Sequence, residues 1–95
     1  MKQLTLTDRV SVPDAVVSRE LDGETVLLNL DTGIYFGLDA VATDIWRAIQ
    51  QGGMLQDAFE SACAWYDVDT AVLKADLLRL VNQMAAKGLL QAVDR

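Results

Sequence analysis

The sequence predicts a single α+β domain, in which a three-stranded antiparallel meander is followed by three helices. Two turn signals, Asp22-Gly23 and Asp31-Thr32-Gly33, separate short apolar stretches that are typical of strands. Helical spacing of apolar residues begins only after Asp39. The chain has 95 residues, of which 52% are hydrophobic, and this suits one domain with one hydrophobic core.

Three stretches of the chain are expected to form the meander. They are Val16–Leu21, Glu24–Leu30 and Ile34–Leu38, and the second lies in the middle of the sheet. In both turns a glycine occupies a position that favours a left-handed backbone. The third strand is short and apolar and contains neither lysine nor proline, so at a sheet edge it would be open to pairing with another chain.

The turns also predict how the strands pair. Because side chains alternate between the two faces of a strand, the second turn is expected to place three apolar pairs on one face. These pairs are Leu30–Ile34, Leu28–Phe36 and Val26–Leu38. The first turn is expected to add Val17 opposite Leu28 and Arg19 opposite Val26 on the same face. One face of the hairpin would then be wholly apolar and would be covered by the rest of the fold.

The helices are predicted from apolar spacing and from capping residues. They are expected over Ala40–Gln51, Met54–Tyr66 and Thr70–Lys87. Asp39 and Asp69 are suited to cap the first and third helices, and Gly88 is suited to end the third. The second helix begins without a capping side chain.

Both ends of the chain are expected to be extended. Residues 1–14 are interpreted as an N-terminal arm or extra strand, because the side chains of Val10-Ser11-Val12 alternate. This segment could cover the free side of Val16–Leu21. Residues 15–95 form the domain proper in this interpretation, and Leu89–Val93 adds a short extended tail.

The third helix is more apolar than a single core contact requires. Its core line is predicted to contain Leu73, Leu77, Leu80 and Met84. One flank beside this line is also apolar and contains Ala71, Leu78, Val81 and Ala85, with Lys74 as its single cation. Together with the strand Ile34–Leu38, this flank would form a groove, and Gly37 would let another backbone approach closely. Alternatively, the flank packs under the sheet or the tail.

Composition and charge exclude several classes of function. The formal net charge of -6, with eight Lys and Arg, offers no basic surface for nucleic acid. The sequence contains no histidine, and its single cysteine, Cys63, lies on the apolar stripe of the second helix, so neither a catalytic dyad nor a cysteine-rich zinc site is expected. The sequence has no signal peptide and no apolar run of about 20 residues, which predicts a cytoplasmic protein that does not enter membranes.

Four stretches carry a resemblance to a known family. They are Leu27–Trp46 (LLNLDTGIYFGLDAVATDIW), Tyr66–Asp69 (YDVD), Asp76–Met84 (DLLRLVNQM) and Lys87–Leu90 (KGLL). With these residues the chain resembles, from about Val16 to Leu90, the PqqD-like recognition elements that bind leader segments of ribosomally synthesised and post-translationally modified peptides (RiPPs). As a stand-alone domain of winged helix-turn-helix-like shape, it is most similar to the discrete recognition proteins of lasso-peptide pathways.

The resemblance implies a non-catalytic protein without cofactor or metal ion. Its partners would be the leader segment of a precursor peptide and, as separate chains, a leader peptidase and a macrocyclase. The leader would add as a strand to Ile34–Leu38 and lie against the third helix. The residues expected to bind the peptide are Ile34, Tyr35, Phe36, Gly37, Leu38, Lys74, Leu77, Leu78, Val81 and Ala85.

Several of these residues also have a plain structural interpretation. Phe36 and Leu38 can belong to the core, and Tyr35 can lie on the other face of its strand. Lys74 can pair with an acidic leader residue or be a solvated lysine. Replacing either Leu78 or Val81 with Asp is expected to weaken leader binding and to leave the melting temperature almost unchanged.

Three other functions are weighed against leader binding. An enzyme is disfavoured because Cys63 has no histidine to activate it. A winged helix-turn-helix DNA binder is disfavoured because the polar residues of the third helix are spread around it on an acidic protein. A generic interaction module, or a homodimer that pairs edge strand with edge strand, would use the same Ile34–Leu38 strand. A monomer or a weak dimer is therefore expected.

Overall fold

The computed structural model describes residues 3–93, and these residues contain the predicted succession of strands and helices together with two additional short strands. The strands are β1 (Val10–Ser11), β2 (Val16–Leu21), β3 (Glu24–Asn29), β4 (Tyr35–Leu38) and β5 (Gln91–Ala92). The helices are α1 (Ala40–Gln50), α2 (Leu55–Trp65) and α3 (Thr70–Ala86). The α+β fold class predicted from the sequence is confirmed.

The main sheet has the strand order β2-β3-β4 and is antiparallel throughout. β1 pairs with β5 in a second, smaller sheet, with Val10 opposite Ala92. The prediction of an extra strand near Val10 is therefore confirmed, but its placement beside β2 is wrong. The Val10 amide donates to the Gly53 carbonyl at 2.8 Å, and the Val93 amide donates to the Arg9 carbonyl at 2.9 Å. The α1–α2 loop and the C-terminal strand thus satisfy the polar groups of this segment.

The turn between β2 and β3 is a two-residue hairpin turn, as the sequence predicts. Both of its residues have positive φ, 54° and 82°, which suits the twist of antiparallel strands. Val17 lies opposite Leu28 and Arg19 lies opposite Val26. The predicted register across this turn is therefore confirmed.

The predicted register between β3 and β4 is wrong by one residue. The observed pairs are Thr25–Leu38, Val26–Gly37, Leu27–Phe36 and Leu28–Tyr35. The buried positions of β3 are consequently Thr25, Leu27 and Asn29. Val26 and Leu30, which the alternation predicts to be covered, are 46% and 62% exposed.

Asn29 accounts for this shift. Its Oδ1 accepts hydrogen bonds from the amides of Asp31 at 2.9 Å and Thr32 at 3.2 Å. Its Nδ2 donates to the Gly88 carbonyl, just beyond α3, at 2.9 Å. Apolar alternation favours Leu30 at the inner position, but the buried amide of Asn29 is satisfied both by the turn and by the end of α3. The loop is therefore one residue longer than predicted.

The helices begin and end close to the predicted positions. Asp39 caps α1 and Asp69 caps α3, and each carboxylate accepts a backbone amide at 2.8 Å. Met54 precedes α2 and provides no side-chain capping bond, as the sequence predicts. These features can be predicted from the sequence because each depends on residues within one helical turn.

The core lies between the inner face of the main sheet and the helices. Its largest fully buried apolar side chains are Leu27, Leu55, Leu77, Val81, Met84 and Leu89. The Thr43 hydroxyl of α1 donates to the Thr25 hydroxyl of β3 at 3.0 Å inside this core, which fastens the helix to the sheet. Trp46 is buried, whereas Trp65, at the end of α2, is exposed.

The N-terminal arm packs against α3. Leu4 is buried, and its amide donates to Asn82 Oδ1 at 2.8 Å. Asn82 Nδ2 in turn donates to the Leu78 carbonyl at 2.8 Å. The arm therefore lies along the flank of α3 that contains Leu78.

Candidate functional site

β4 is an edge strand. Within residues 3–93 it pairs with β3 on one side, and no strand pairs with its other side, which we call the open edge. The Asn29 amide donates to the opposed Ile34 carbonyl at 3.0 Å, so this pair is of the hydrogen-bonded type. Because the two types of pair alternate along an antiparallel ladder, the N–H and C=O groups of Tyr35 and Gly37 point toward the open edge.

No side chain at Gly37 crowds a second backbone that approaches the open edge. A Cβ atom built there would meet no atom within 4 Å apart from its chain neighbours. β4 also lacks the lysine, proline or bulge that commonly protects edge strands from pairing. The edge therefore offers two adjacent sets of backbone donors and acceptors, at Tyr35 and Gly37, to an extended peptide.

The side chains of β4 alternate between the core and the solvent. Leu38 is 3% exposed and belongs to the core, and Phe36 is half-buried on the same face. Tyr35 lies on the opposite face and is 70% exposed. Of the predicted peptide-binding residues of this strand, Leu38 is thus a core residue, while Tyr35 and Ile34 are accessible.

Two of the predicted contacts on α3 are also core residues. Leu77 and Val81 are both 0% exposed, so neither side chain presents a surface to a peptide. The prediction that Val81→Asp leaves stability unchanged is wrong, because the carboxylate would be placed in the core without a partner. The core line of α3 is centred closer to Leu77 and Val81 than the apolar spacing alone indicates.

The remaining predicted contacts on α3 lie on the flank of Leu78, which we call the arm-side flank because Leu78 lines a groove with the N-terminal arm. Leu78 and Ala85 are half-buried and Lys74 is exposed. Leu78 and Asn82 line a groove of about 600 Å³, together with Leu4 of the arm, and this groove also reaches Arg79 and Gln83. The arm thus occupies a position next to the flank that the sequence assigned to the peptide.

The other flank of α3 lies beside the end of β4. A pocket of about 340 Å³, which we call the β4-side pocket, is lined by the start of α1 and this flank. Its lining residues are Asp39, Val41, Ala42, Ile45, Asp76, Arg79, Leu80 and Gln83. Asp39 directly follows β4, so the pocket opens where the open edge ends. Asp76, Arg79 and Gln83 were not among the residues that the sequence predicted to bind the peptide.

The β4-side pocket combines an apolar floor with a charged rim. Ala42, Ile45 and Leu80 supply the apolar side chains. On the rim, the Arg79 guanidinium pairs with the Asp76 carboxylate at 2.7 Å, and both side chains are more than half exposed. Such an exposed pair contributes little to stability, and it leaves Arg79 able to exchange partners.

The groups with perturbed pKa values, Tyr66 and Arg47, form contacts between α1 and its neighbours α2 and β2. A hydrogen bond from the hydroxyl to the Asp44 carboxylate, with partial burial, raises the pKa of Tyr66 above the usual tyrosine range. This bond links α2 to α1. The hydrogen bond and ion pair with Glu20 raise the pKa of Arg47 and link α1 to β2. Both perturbations thus have a structural cause.

The described residues offer little to metal or nucleophilic chemistry. Within residues 3–93 no group of three or more Asp, Glu or Cys side chains is placed to hold a metal ion. Cys63 is a free, half-buried cysteine that packs against the core. In the same residues no helix combines the length and the apolar character that a membrane span requires. The candidate site therefore consists of the open edge of β4 and the β4-side pocket beside it.

Comparison with known proteins agrees with this geometry. Residues 24–90 match the family model described as coenzyme PQQ synthesis protein D (PqqD). A solved structure of TbiB1 in complex with the TbiA(β) leader peptide is 40% identical in sequence, with a TM-score of 0.80. The match covers 88% of this chain and 98% of the TbiB1 chain. Among curated proteins, none matches the chain significantly.

Proposed function

The chain belongs to the PqqD family, and from this premise we propose that it binds the leader segment of a ribosomally made precursor peptide by strand addition to β4. The observation that carries the proposal is the open edge, where the backbone groups of Tyr35 and Gly37 point outward beside the β4-side pocket. TbiB1, which shares 40% of its sequence with this chain, has been solved in complex with a leader peptide.

Binding would combine generic affinity with side-chain selection. Backbone hydrogen bonds at Tyr35 and Gly37 hold any extended peptide, whatever its sequence. Because side chains of an added strand alternate, those on the inner side reach toward the pocket formed by Ala42, Ile45 and Leu80. Those on the outer side lie next to Tyr35.

The role of each predicted contact follows from its accessibility. Tyr35, Gly37 and Ile34 contact the leader directly, and half-buried Phe36 shapes the inner side of the strand. Leu38, Leu77 and Val81 act only by supporting the site from the core. Leu78, Ala85 and Lys74, on the arm-side flank, would meet only leader residues that extend beyond the β4-side pocket.

The chain would act as a non-catalytic carrier. Residues 15–95 form the recognition domain in this proposal, and residues 1–14 form the arm. The carrier presents the precursor in the cytoplasm to a separate leader peptidase and a separate macrocyclase of a lasso-peptide pathway. It works as a monomer or a weak dimer and needs no cofactor. Its net charge of -6 is unfavourable for binding nucleic acid.

Gly37→Pro tests strand addition directly. The Gly37 amide points to the open edge, so proline removes a hydrogen-bond donor for the leader without removing one from the β3–β4 ladder. We expect the affinity for a fluorescent leader peptide of the neighbouring precursor gene, read by anisotropy, to fall at least about tenfold, which corresponds to about 1.4 kcal/mol. The melting temperature should stay close to that of the wild type.

Gly37→Ala is the matched control. It keeps the amide donor, and its methyl group has free space, so affinity should stay within about threefold of the wild type. Equal affinities of the proline and alanine variants would contradict strand addition at β4.

Edge-to-edge homodimerisation is the second candidate function, because the same open edge would serve it. A dimer on a sizing column that Gly37→Pro converts to a monomer, without leader binding by the wild type, would favour that function instead.

A further inference from the structure

The β4-side pocket carries more acidic than basic charge on its rim. Of the described residues that line it, Asp39 and Asp76 are acidic and Arg79 is basic. Asp76 and Arg79 pair with each other, so their charges offset, and the Asp39 carboxylate leaves the rim with an excess of negative charge. A rim of this kind attracts a cationic group and repels an anionic one.

The two ends of β4 differ in charge in the same sense. Glu24 lies one residue before the strand partner of Leu38 and adds a carboxylate at the pocket end. At the turn end, Asn29 bonds both the Asp31 amide and the carbonyl of the residue that follows Lys87, so a carboxylate and an ammonium group lie on its two sides. The net charge of -6 of the whole chain reinforces the field at the pocket end. An extended peptide at the open edge therefore meets a more negative field beside the pocket than at the turn.

The floor of the pocket restricts the cation to a long side chain. Ala42, Ile45 and Leu80 form this floor and are apolar. Lysine and arginine combine an apolar stem with a cationic head, so the stem can cover the floor while the head stays at the rim. An apolar leader side chain would cover the floor and leave the rim without a partner, and a glutamate would bring a further carboxylate to it.

The two carboxylates of the rim are held differently. Asp39 accepts the Ala42 amide at 2.8 Å as the cap of α1, which fixes its position. The side chains of Asp76 and Arg79 are 51% and 68% exposed, so another cation can replace Arg79 at little cost. Asp76 is therefore the carboxylate that can exchange its partner, and Asp39 adds a fixed negative charge beside it.

We propose that the β4-side pocket selects leaders that place a lysine or arginine where the added strand passes Leu38. The inference rests on the proposed function, because it requires the leader to be bound at β4. The stem of this leader residue lies on the apolar floor, and its head pairs with Asp76 in place of Arg79. Because the rim is exposed, this pairing contributes selection among leaders more than total affinity.

The test begins with the leader peptide of the neighbouring precursor gene. Each of its lysines and arginines is replaced singly by glutamine, and the affinity of the full chain is read by fluorescence anisotropy at about 0.01 M salt, where the Debye length is about 30 Å. One replacement should lower the affinity about three- to fivefold, and this difference should vanish at about 1 M salt, where the Debye length is about 3 Å.

Two variants of the rim should act in opposite directions. Asp76→Asn should lower leader affinity about three- to fivefold, and in this variant the critical leader replacement should have no further effect. Arg79→Gln removes the competing cation and should raise leader affinity about twofold. Asp57→Asn is the charge-matched control, since Asp57 is exposed on α2 and does not line the pocket, and it should leave affinity within about 1.5-fold.

The outcomes separate this inference from the proposed function. Leader affinity that Arg79→Gln lowers and Asp76→Asn raises would overturn the inference, because the pocket would then select an acidic residue. Leader binding that no replacement of a lysine or arginine weakens would also overturn it and would leave strand addition at β4 standing. A wild type that does not bind the leader would contradict the proposed function and this inference with it.

Discussion

Leu78 and Val81 lie three residues apart on α3 but in different surroundings. Val81 is fully buried, whereas Leu78 is half-buried beside the arm. We expect Val81→Asp to lower the free energy of unfolding by about 3–5 kcal/mol, because it buries an unpaired charge, and Leu78→Asp by only about 1–2 kcal/mol. Urea denaturation of both variants measures the difference. Equal losses of stability would mean that Leu78 is as fully buried as Val81.

At the scale of elements, the β3–β4 hairpin owes its register to Asn29. We expect Asn29→Ala to lower the free energy of unfolding by about 2–3 kcal/mol, since three hydrogen bonds of a buried amide are lost. Leu30→Ala is the matched comparison, and as a change at a residue that is 62% exposed it should cost about 0.5 kcal/mol or less. If chemical denaturation shows the larger loss of stability for Leu30→Ala, then Leu30 is the buried position, as apolar alternation predicts.

The same hairpin shows why sequence reasoning succeeds in one turn and fails in the next. The first turn is determined by two adjacent residues with positive φ, and the caps of α1 and α3 are each formed by one aspartate. Local chemistry therefore predicts the turn and both caps. The middle strand has apolar residues on both faces, so alternation cannot decide its buried side. That side is decided by Asn29 through its bond to Gly88, which is 59 positions away and invisible to local patterns.

The candidate site could also be predicted from the sequence only in part. The meander order predicts that Ile34–Leu38 is an edge strand, and its lack of lysine and proline predicts that this edge is unprotected. Helical spacing places Leu78 and Leu80 on different sides of α3, but it cannot tell which side meets β4. That depends on where α1 and the arm pack: Asp39 and Ile45 line the pocket with Leu80, while Leu4 lies with Leu78.

At the scale of the whole molecule, the arm adds stability without forming the proposed leader site. Leu4 belongs to the core and Leu6 packs against it, so removing residues 1–6 should lower the free energy of unfolding by roughly 2–4 kcal/mol. Leader affinity should stay within about twofold, because the apolar floor of the β4-side pocket, formed by Ala42, Ile45 and Leu80, does not line the groove that holds the arm, although Arg79 and Gln83 line both. Denaturation and leader anisotropy on the truncated chain measure the two effects.

Asn82→Ala provides the control for this truncation. It removes the hydrogen bond between the Asn82 side chain and the Leu4 amide and leaves the arm sequence intact, so it should cause a smaller loss of stability and no change in leader affinity. If both changes instead raise leader affinity about tenfold, the arm competes with the leader for the flank that contains Leu78. The leader would then bind across α3 on the arm side, and the β4-side pocket would not be its principal contact.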